Sequence, residues 1–270
     1  MYKTDVMRRF KKLKSPKQNL YELQLDYDVK KLESIAKNVI NKHGIYSFNS
    51  KEGRIKSSYK SLSLVYDPYN KESVDNQYTS TLGSSLISRK RYFYTALYTL
   101  FFEFKGKLKH SYYDTYSFNT PNSIMTDDFS DFLKTFKRTQ IRSRLSVILA
   151  NAKDSLQPDY LLHRDEHVYQ NLRINIPLTF SDKFFLDLIG EKTICFEQGK
   201  AYTWNTNMQH RVYGVDSVPR INLVLGFSPW FDYIPEEDIW VSNEYYGEIH
   251  PIEMVKQGLV IDCIHNKLAV

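Results

Sequence analysis

His163-Arg164-Asp165 sets an imidazole and a carboxylate two positions apart. On an extended strand, side chains at i and i+2 leave the same face. A second imidazole, His210, follows 47 positions later in Gln209-His210-Arg211-Val212. Two imidazoles and one carboxylate form a three-point face that leaves three coordination positions open. That donor set suits Fe(II) when it must also take up a cosubstrate and O2. Ten residues past His210, Arg220 opens the run Arg220-Ile221-Asn222-Leu223-Val224-Leu225. Arg220 and Asn222 share one face of this strand, opposite Ile221 and Leu223. A guanidinium directed into a barrel needs a carboxylate, because a buried unpaired charge is costly. The distal carboxylate of 2-oxoglutarate would supply one by a bidentate contact; an internal Asp or Glu is the other candidate partner.

With 7 His and 31 acidic residues in the chain, about one His-x-Asp/Glu match is expected by chance, and a carboxylate beside a histidine often only orients it. His210 adds weight because it sits between a Gly-Lys turn and an alternating strand. Arg173 and Asn175 alternate in the same way on the strand after the first pair. They could contact cosubstrate or substrate, or lie on a solvent-facing edge. Tyr202, Trp204 and Tyr213 are candidates to line a pocket, although aromatic residues on such strands commonly serve as core.

The elements that would carry these residues are short strands. From about residue 139, alternating segments recur at 144–149, 160–165, 172–178, 184–188, 193–196, 201–204, 211–215 and 221–227, with turn glycines at Gly190, Gly199 and Gly214. Several short strands at this spacing predict a mainly β fold with flanking helices, an antiparallel sandwich or barrel of the jelly-roll kind. Upstream, Tyr21 to Lys42 carries Leu32, Ile35, Val39 and Ile40 at helical spacing, with His43-Gly44 as a stop. Residues 61–66 alternate like a strand, 70–91 read as a polar loop, and 91–107 as a helix packed on a sheet. Turn chemistry around Pro121-Asn122 fills 113–130, and 130–138 reads as a short helix. The last forty residues look like an irregular extension. The expected organisation is a mixed α/β region over 1–130 packed on the core, a β core over 131–235, and an extension over 236–270.

Apolar residues at 42% and charged residues at 25% lie near globular averages, which excludes disordered and membrane-embedded classes. The net charge of +6 is small for 270 residues, and much of it sits in Arg8, Arg9, Lys11, Lys12, Lys14 and Lys17. That run is the only feature favouring a nucleic-acid partner; a solvated face is the ordinary alternative. Two cysteines, Cys195 and Cys263, support neither a disulfide framework nor a thiolate zinc site. No run of ~18 apolar residues and no apolar leader is present, so the expected location is the cytoplasm.

Arg144-Leu145 before a strand, Leu162-His163-Arg164-Asp165, Leu172-Arg173-Ile174-Asn175-Ile176-Pro177-Leu178, Glu197-Gln198-Gly199-Lys200, Gln209-His210-Arg211-Val212 and Arg220 together resemble the aspartyl/asparaginyl β-hydroxylase family of 2-oxoglutarate oxygenases. The resemblance covers roughly 142–230. It implies a double-stranded β-helix with iron bound by His163, Asp165 and His210, and 2-oxoglutarate gripped by Arg220. It further implies that 2-oxoglutarate and O2 are consumed, that succinate and CO2 are released, and that a C–H bond is hydroxylated. Where some members carry Gly, this chain has Asp165, and where many carry a histidine it has Asn175. The expected substrate is therefore an amino-acid or peptide side chain or another small molecule. A cupin-type metal enzyme that does not use an oxo acid and a non-catalytic jelly-roll binding module are the competing readings.

Overall fold

The computed structural model describes residues 13, 15–47, 59–79, 107–109, 114–148, 162–215 and 218–266. Before the core come β1 (Leu20–Leu25), β2 (Tyr46–Ser47), β3 (Tyr59–Ser63), β4 (Val65–Tyr66), β5 (Lys107–Lys109) and β6 (Thr120–Pro121). The core strands are β7 (Arg144–Ile148), β8 (Leu172–Pro177), β9 (Phe184–Leu188), β10 (Ile194–Cys195), β11 (Lys200–Trp204), β12 (His210–Gly214) and β13 (Arg220–Phe227). After them run β14 (Phe231–Ile234), β15 (Ile239–Ser242) and β16 (Ile264–His265).

Successive core strands are dealt between two antiparallel sheets. The larger has the order β16-β1-β11-β8-β13-β7-β3-β2, and the smaller β10-β9-β12, extended past β12 by a bridge between His163 and His210. Reading along the chain from β7, the path crosses from one sheet to the other and back, which is the topology of a jelly roll. The expected mainly β class with a double-stranded β-helix core is what the strand order gives.

Period-two alternation assigns each face. On the larger sheet, Leu145, Val147, Leu172, Ile174, Ile176, Ala201, Leu223, Leu225 and Phe227 point outward into one large core. The helix α1 (Val29–His43) covers that face with Leu32, Ala36 and Val39, spaced four and three apart on one helical stripe. Asp28 caps it, its carboxylate accepting from the amides of Lys30 and Lys31 at 2.9 and 3.0 Å. The opposite, inward face meets the smaller sheet through Ile148, Tyr202 and Trp204 against Phe184, Leu186, Leu188 and Phe196. β8, flanked by β11 and β13, is buried at all six positions. That burial removes the solvent-edge alternative for Arg173 and Asn175.

Several expectations need correction. The helix expected from Tyr21 begins only at Val29, because Tyr21, Leu23 and Leu25 alternate as a strand that pairs with β11 and, at Leu25, with β16. The strand expected over 61–66 divides into β3 and β4, with a bend at Leu64 where Ser63 Oγ donates to the Val65 carbonyl at 2.7 Å. Within the loop expected over 70–91, Lys71–Asp75 is a short helix, and residues beyond 79 lie outside the described residues. The helix expected over 91–107 also lies outside them, apart from Lys107, which opens β5. The expected turn region contains a helix at Asp114–Ser117 and a π-helical turn at Ile124–Asp128. The helix at Ser130 stops at Leu133. The C-terminal stretch is not irregular: β14 and β15 form a hairpin, Pro251–Lys256 is helical, and β16 pairs with β1.

Gly226 in β13 answers a close approach rather than a turn. The backbone of Ile141 crosses it, its amide donating to the Gly226 carbonyl at 2.8 Å. A Cβ there would run into the Ile141 carbonyl and the Asn171 side-chain amide. Gly226→Ala is expected to destabilise the fold by ~1–3 kcal/mol, the range for overpacking a closed site, as measured by urea denaturation.

His250, 6% exposed, caps the C-terminal helix by accepting from the Ile252 amide at 3.4 Å. Burial first, and then the nearby His167, lowers its pKa to about 4, while Glu253 opposes the shift; Tyr169 packs against its ring. A histidine near 6.5 when unfolded and lower when folded resists protonation in the native state. Its contribution is complete above pH ~6.5 and is lost as pH falls toward 4. Between pH 7 and 4.5 the wild type is expected to lose on the order of 2 kcal/mol that His250→Asn, which keeps a capping acceptor, does not lose. Denaturation at a series of pH values reads the difference.

Candidate metal centre

The two histidines meet through backbone pairing. His163 N donates to the His210 carbonyl and His210 N to the His163 carbonyl, both at 3.0 Å. Directly opposed residues of an antiparallel pair project to the same side, and the rings lie 4.6 Å apart at 49°. Asp165, two residues along, is anchored by its amide to the Thr206 carbonyl at 3.0 Å. Its Oδ2 lies 3.7 Å from His163 Nε2 and 3.4 Å from His210 Nε2. One donor atom from each residue falls within 4.8 Å of the others. Donors ~2.1 Å from one ion and at right angles stand about 3 Å apart, so a small inward adjustment of these three side chains accommodates a divalent metal.

The protonation states suit that role. His210 is 1% exposed, and its Nδ1 lies 2.9 Å from the Met208 carbonyl. A carbonyl only accepts, so Nδ1 carries the proton and Nε2 keeps its lone pair for a metal. Burial opposes ionisation of Asp165, yet Arg173, then His163 and the contacts to both imidazoles, hold its carboxyl well below the usual range. It is a charged donor at neutral pH.

The sequence-predicted residues occupy distinct places around this cluster. Arg173 Nη1 contacts Asp165 Oδ2, and its Nη2 donates to Glu166 Oε2 at 2.9 Å. Asn175 accepts from Asn222 Nδ2 at 2.9 Å on the inward face of β8 and β13. Arg220, 1% exposed, begins β13 and donates to the Val218 carbonyl. The Trp204 ring meets His210 edge-on with centroids 5.5 Å apart. Tyr202 lies deeper, its hydroxyl accepting from the Glu197 amide at 2.9 Å, and burial pushes its pKa well up. Tyr213 does not line the interior: it stands on the face of β12 opposite His210, stacked under the Arg211 guanidinium.

Other polar residues share the site without having been singled out. Glu166 Oε1 pairs with Arg142, and its Oε2 accepts from Asn171 Nδ2 at 2.8 Å. On β7, the Arg144 Nε donates to the Tyr59 hydroxyl at 3.2 Å, and that hydroxyl lies 2.7 Å from Ser146 Oγ. Register sets Ser61, Ser146 and Asn222 in one row across β3, β7 and β13, beside Arg220. Ser61 Oγ and Asn222 Oδ1 are buried without a hydrogen-bond partner. The inward face of the larger sheet is thus polar and cationic where the facing sheet is apolar. Alternation placed Arg144 and Ser146 on the face of Ile148; adjacency to Asp165 was the only sequence sign of Glu166.

No protein-family model and no curated protein matches the chain. Among solved structures it is similar to the non-haem α-ketoglutarate-dependent epimerase SnoN of nogalamycin biosynthesis, at 10% identity, 84% and 81% of the two chains covered, and TM-score 0.37. A 2OG-Fe(II) oxygenase-family oxidoreductase from Burkholderia pseudomallei matches at 11% identity, 84% and 91% coverage, and TM-score 0.37. A dioxygenase for auxin oxidation from Arabidopsis thaliana, in its binary complex with 2-oxoglutarate, matches at 14% identity, 83% and 87% coverage, and TM-score 0.36. Scores of this size transfer no activity; strand order and pairing define the fold of this chain. Among the described residues, no helix is long and apolar enough to cross a membrane.

The Trp204 indole N–H is buried without a hydrogen-bond partner, at a cost of ~1–3 kcal/mol. Trp204→Phe keeps a ring against His210 and removes that donor. The unliganded variant is expected to stay within about 1 kcal/mol of wild type, because the lost indole packing and the removed orphan donor offset each other. Equilibrium denaturation measures the balance, and a loss above ~3 kcal/mol would mean that packing alone governs this position.

Proposed function

We propose that this chain is an Fe(II)- and 2-oxoglutarate-dependent oxygenase that hydroxylates an amino-acid or peptide side chain or another small molecule. The observation that carries the reading is the meeting of His163, Asp165 and His210 donors within 4.8 Å inside a jelly roll. Its support is Arg220, buried on the inward face ten residues past the second histidine. Bound Fe(II) would supply the coupling of 2-oxoglutarate decarboxylation by O2 to C–H oxidation, with release of succinate and CO2.

The chain's own residues do the remaining work. His163, Asp165 and His210 would hold the ion, each through one donor atom. Arg220 and Asn222 take the distal carboxylate of 2-oxoglutarate, a bidentate charge-assisted contact in a site closed to water. Leu186, Leu188 and Phe196 on the facing side exclude water from the reacting groups. Trp204 bounds the site beside His210. The motif resemblance supports a place among aspartyl/asparaginyl-hydroxylase-like proteins, and Asn175 argues for a substrate different from theirs. On this reading the core over 131–235 carries the chemistry, and the regions 1–130 and 236–270 shape access to it. A nucleic-acid partner rests only on the basic run at residues 8–17, five of whose six basic residues lie outside the described residues.

A cupin-type metal enzyme would keep the three ligands and dispense with Arg220, and a binding module would dispense with the metal. Anaerobic Fe(II) and 2-oxoglutarate are expected to give the wild type a weak visible charge-transfer band. His210→Ala should abolish it, and Arg220→Met should raise the Kd for 2-oxoglutarate at least tenfold. A band indifferent to Arg220→Met would favour the cupin-type enzyme; a folded protein with neither band nor bound metal would favour the binding module.

A further inference from the structure

We infer that Arg173 is a positioning residue, fixing the Asp165 carboxylate through a buried charge chain that runs Arg142–Glu166–Arg173–Asp165. The inference rests on the metal-centre reading above and assigns Arg173 a task other than touching cosubstrate or substrate.

The guanidinium is already committed. Arg173 is 8% exposed on a central strand, where a charge of this kind requires counter-charges. Its two terminal nitrogens reach two different carboxylates, Asp165 through Nη1 and Glu166 through Nη2. Glu166 is in turn held by Arg142 on Oε1 and by Asn171 on Oε2. Its carbonyl accepts from Thr206 Oγ1 at 2.7 Å. The chain therefore ties the segment bearing His163 and Asp165 to the turn that precedes His210.

A second, independent sign is backbone strain at the far end. Arg142 has φ of 49°, the left-handed region, in a residue that is not glycine. Such a conformation costs ~1–3 kcal/mol and persists only where surroundings impose it. Its amide donates to the Phe118 carbonyl at 2.9 Å while its side chain pairs with Glu166. The strained position and the outer end of the charge chain are thus the same residue.

Arg173 is a counter-charge to Asp165 as well as a restraint, and Glu166 offsets part of the charge that it brings toward the centre. The restraint is geometric. Arg173 contacts the same Oδ2 that faces both imidazoles, and an ionised oxygen has lone pairs for a guanidinium N–H and a metal together. Outer partners of this sort typically change metal affinity by 10–100-fold.

Co(II), a stable stand-in for Fe(II), is titrated into the full chain and into Arg173→Met, Arg173→Lys, Glu166→Gln and the Arg173→Met/Glu166→Gln double variant. Affinity and ligand-field spectrum are read on folded protein verified by circular dichroism. The expected result is a ~10–100-fold weaker Kd in each single variant. Altered d–d bands and a double variant no worse than Arg173→Met alone are expected with it. Should Arg173→Met fail to fold, Arg173→Lys and Glu166→Gln carry the same expectation. Unchanged Co(II) affinity with a raised Kd for 2-oxoglutarate would overturn the inference and make Arg173 a cosubstrate contact. Unchanged affinity for both would overturn it as well and leave Arg173 a purely structural ion pair. A wild type that binds no Co(II) would sink the metal-centre reading itself, a result distinct from the other two.

Discussion

Two reciprocal backbone hydrogen bonds between His163 and His210 carry the rest of the site. They bring together residues 47 positions apart and put both imidazoles on one side, since opposed residues in an antiparallel pair share a face. A slip of one residue would send one ring to the other side and separate the three donors. The register is protected on both flanks. β12 pairs with β9 over five residues from His210 to Gly214, and the preceding turn is closed by Met208 N to the Asn205 carbonyl at 2.9 Å. Asp165 N to the Thr206 carbonyl closes the same turn from the other strand. The pairing is thus bracketed by contacts that do not involve the side chains of His163, Asp165 and His210, so the backbone alone brings these three donors together.

The larger sheet separates two kinds of energy. Its outward face is a continuous apolar cluster covered by α1 and the C-terminal helix, where each fully buried aliphatic side chain stabilises by about 1.5–3 kcal/mol. Its inward face carries Ser61, Arg144, Ser146, Arg173, Asn175, Arg220 and Asn222. One strand can serve both because successive side chains alternate, so stabilising burial and polar recognition do not compete for positions. β13 shows this most plainly, with Ile221, Leu223, Leu225 and Phe227 on one side and Arg220 and Asn222 on the other.

That division explains what was legible in the sequence. The His163–Asp165 spacing, the alternation of β8 and β13 and the buried arginine at the start of β13 are local period-two patterns, readable without tertiary knowledge. The jelly-roll class followed from the spacing of short strands. Tyr21 to Leu25 misled because a strand of three apolar alternations runs straight into a capped helix, and the pair looked like one longer helical segment. β14 and β15 were missed because their burial comes from aromatic contacts without a period: Trp240 packs on Tyr116 and Tyr233, and Tyr246 on Trp230 and Phe231. No periodic stripe announces such packing. The partners of Glu166 were invisible for a different reason. Arg142 and Arg173 are 24 and 7 residues from it on opposite sides, and only the folded sheet brings them to one carboxylate.

The interior polarity has a thermodynamic consequence. Buried groups without partners, such as Ser61 Oγ and Asn222 Oδ1, each cost about 1–3 kcal/mol. Domains hold a margin of only ~5–15 kcal/mol, so several such groups are tolerable only where the outward core is extensive. The Ser61–Ser146–Asn222 row is hydrogen-bonding capacity set out in advance on rigid strands, between the Arg144 and Arg220 positions. The Ser61 and Ser146 hydroxyls and the Arg144 and Arg220 guanidiniums are donors held on rigid strands, which is the condition under which fixed dipoles and charges act most strongly. The Ser61 hydroxyl, which can donate, and Asn222 Oδ1, which only accepts, thus both lower the stability of the fold and present opposite hydrogen-bonding demands, so a molecule that met both would stabilise the protein by RT ln(1 + [L]/Kd).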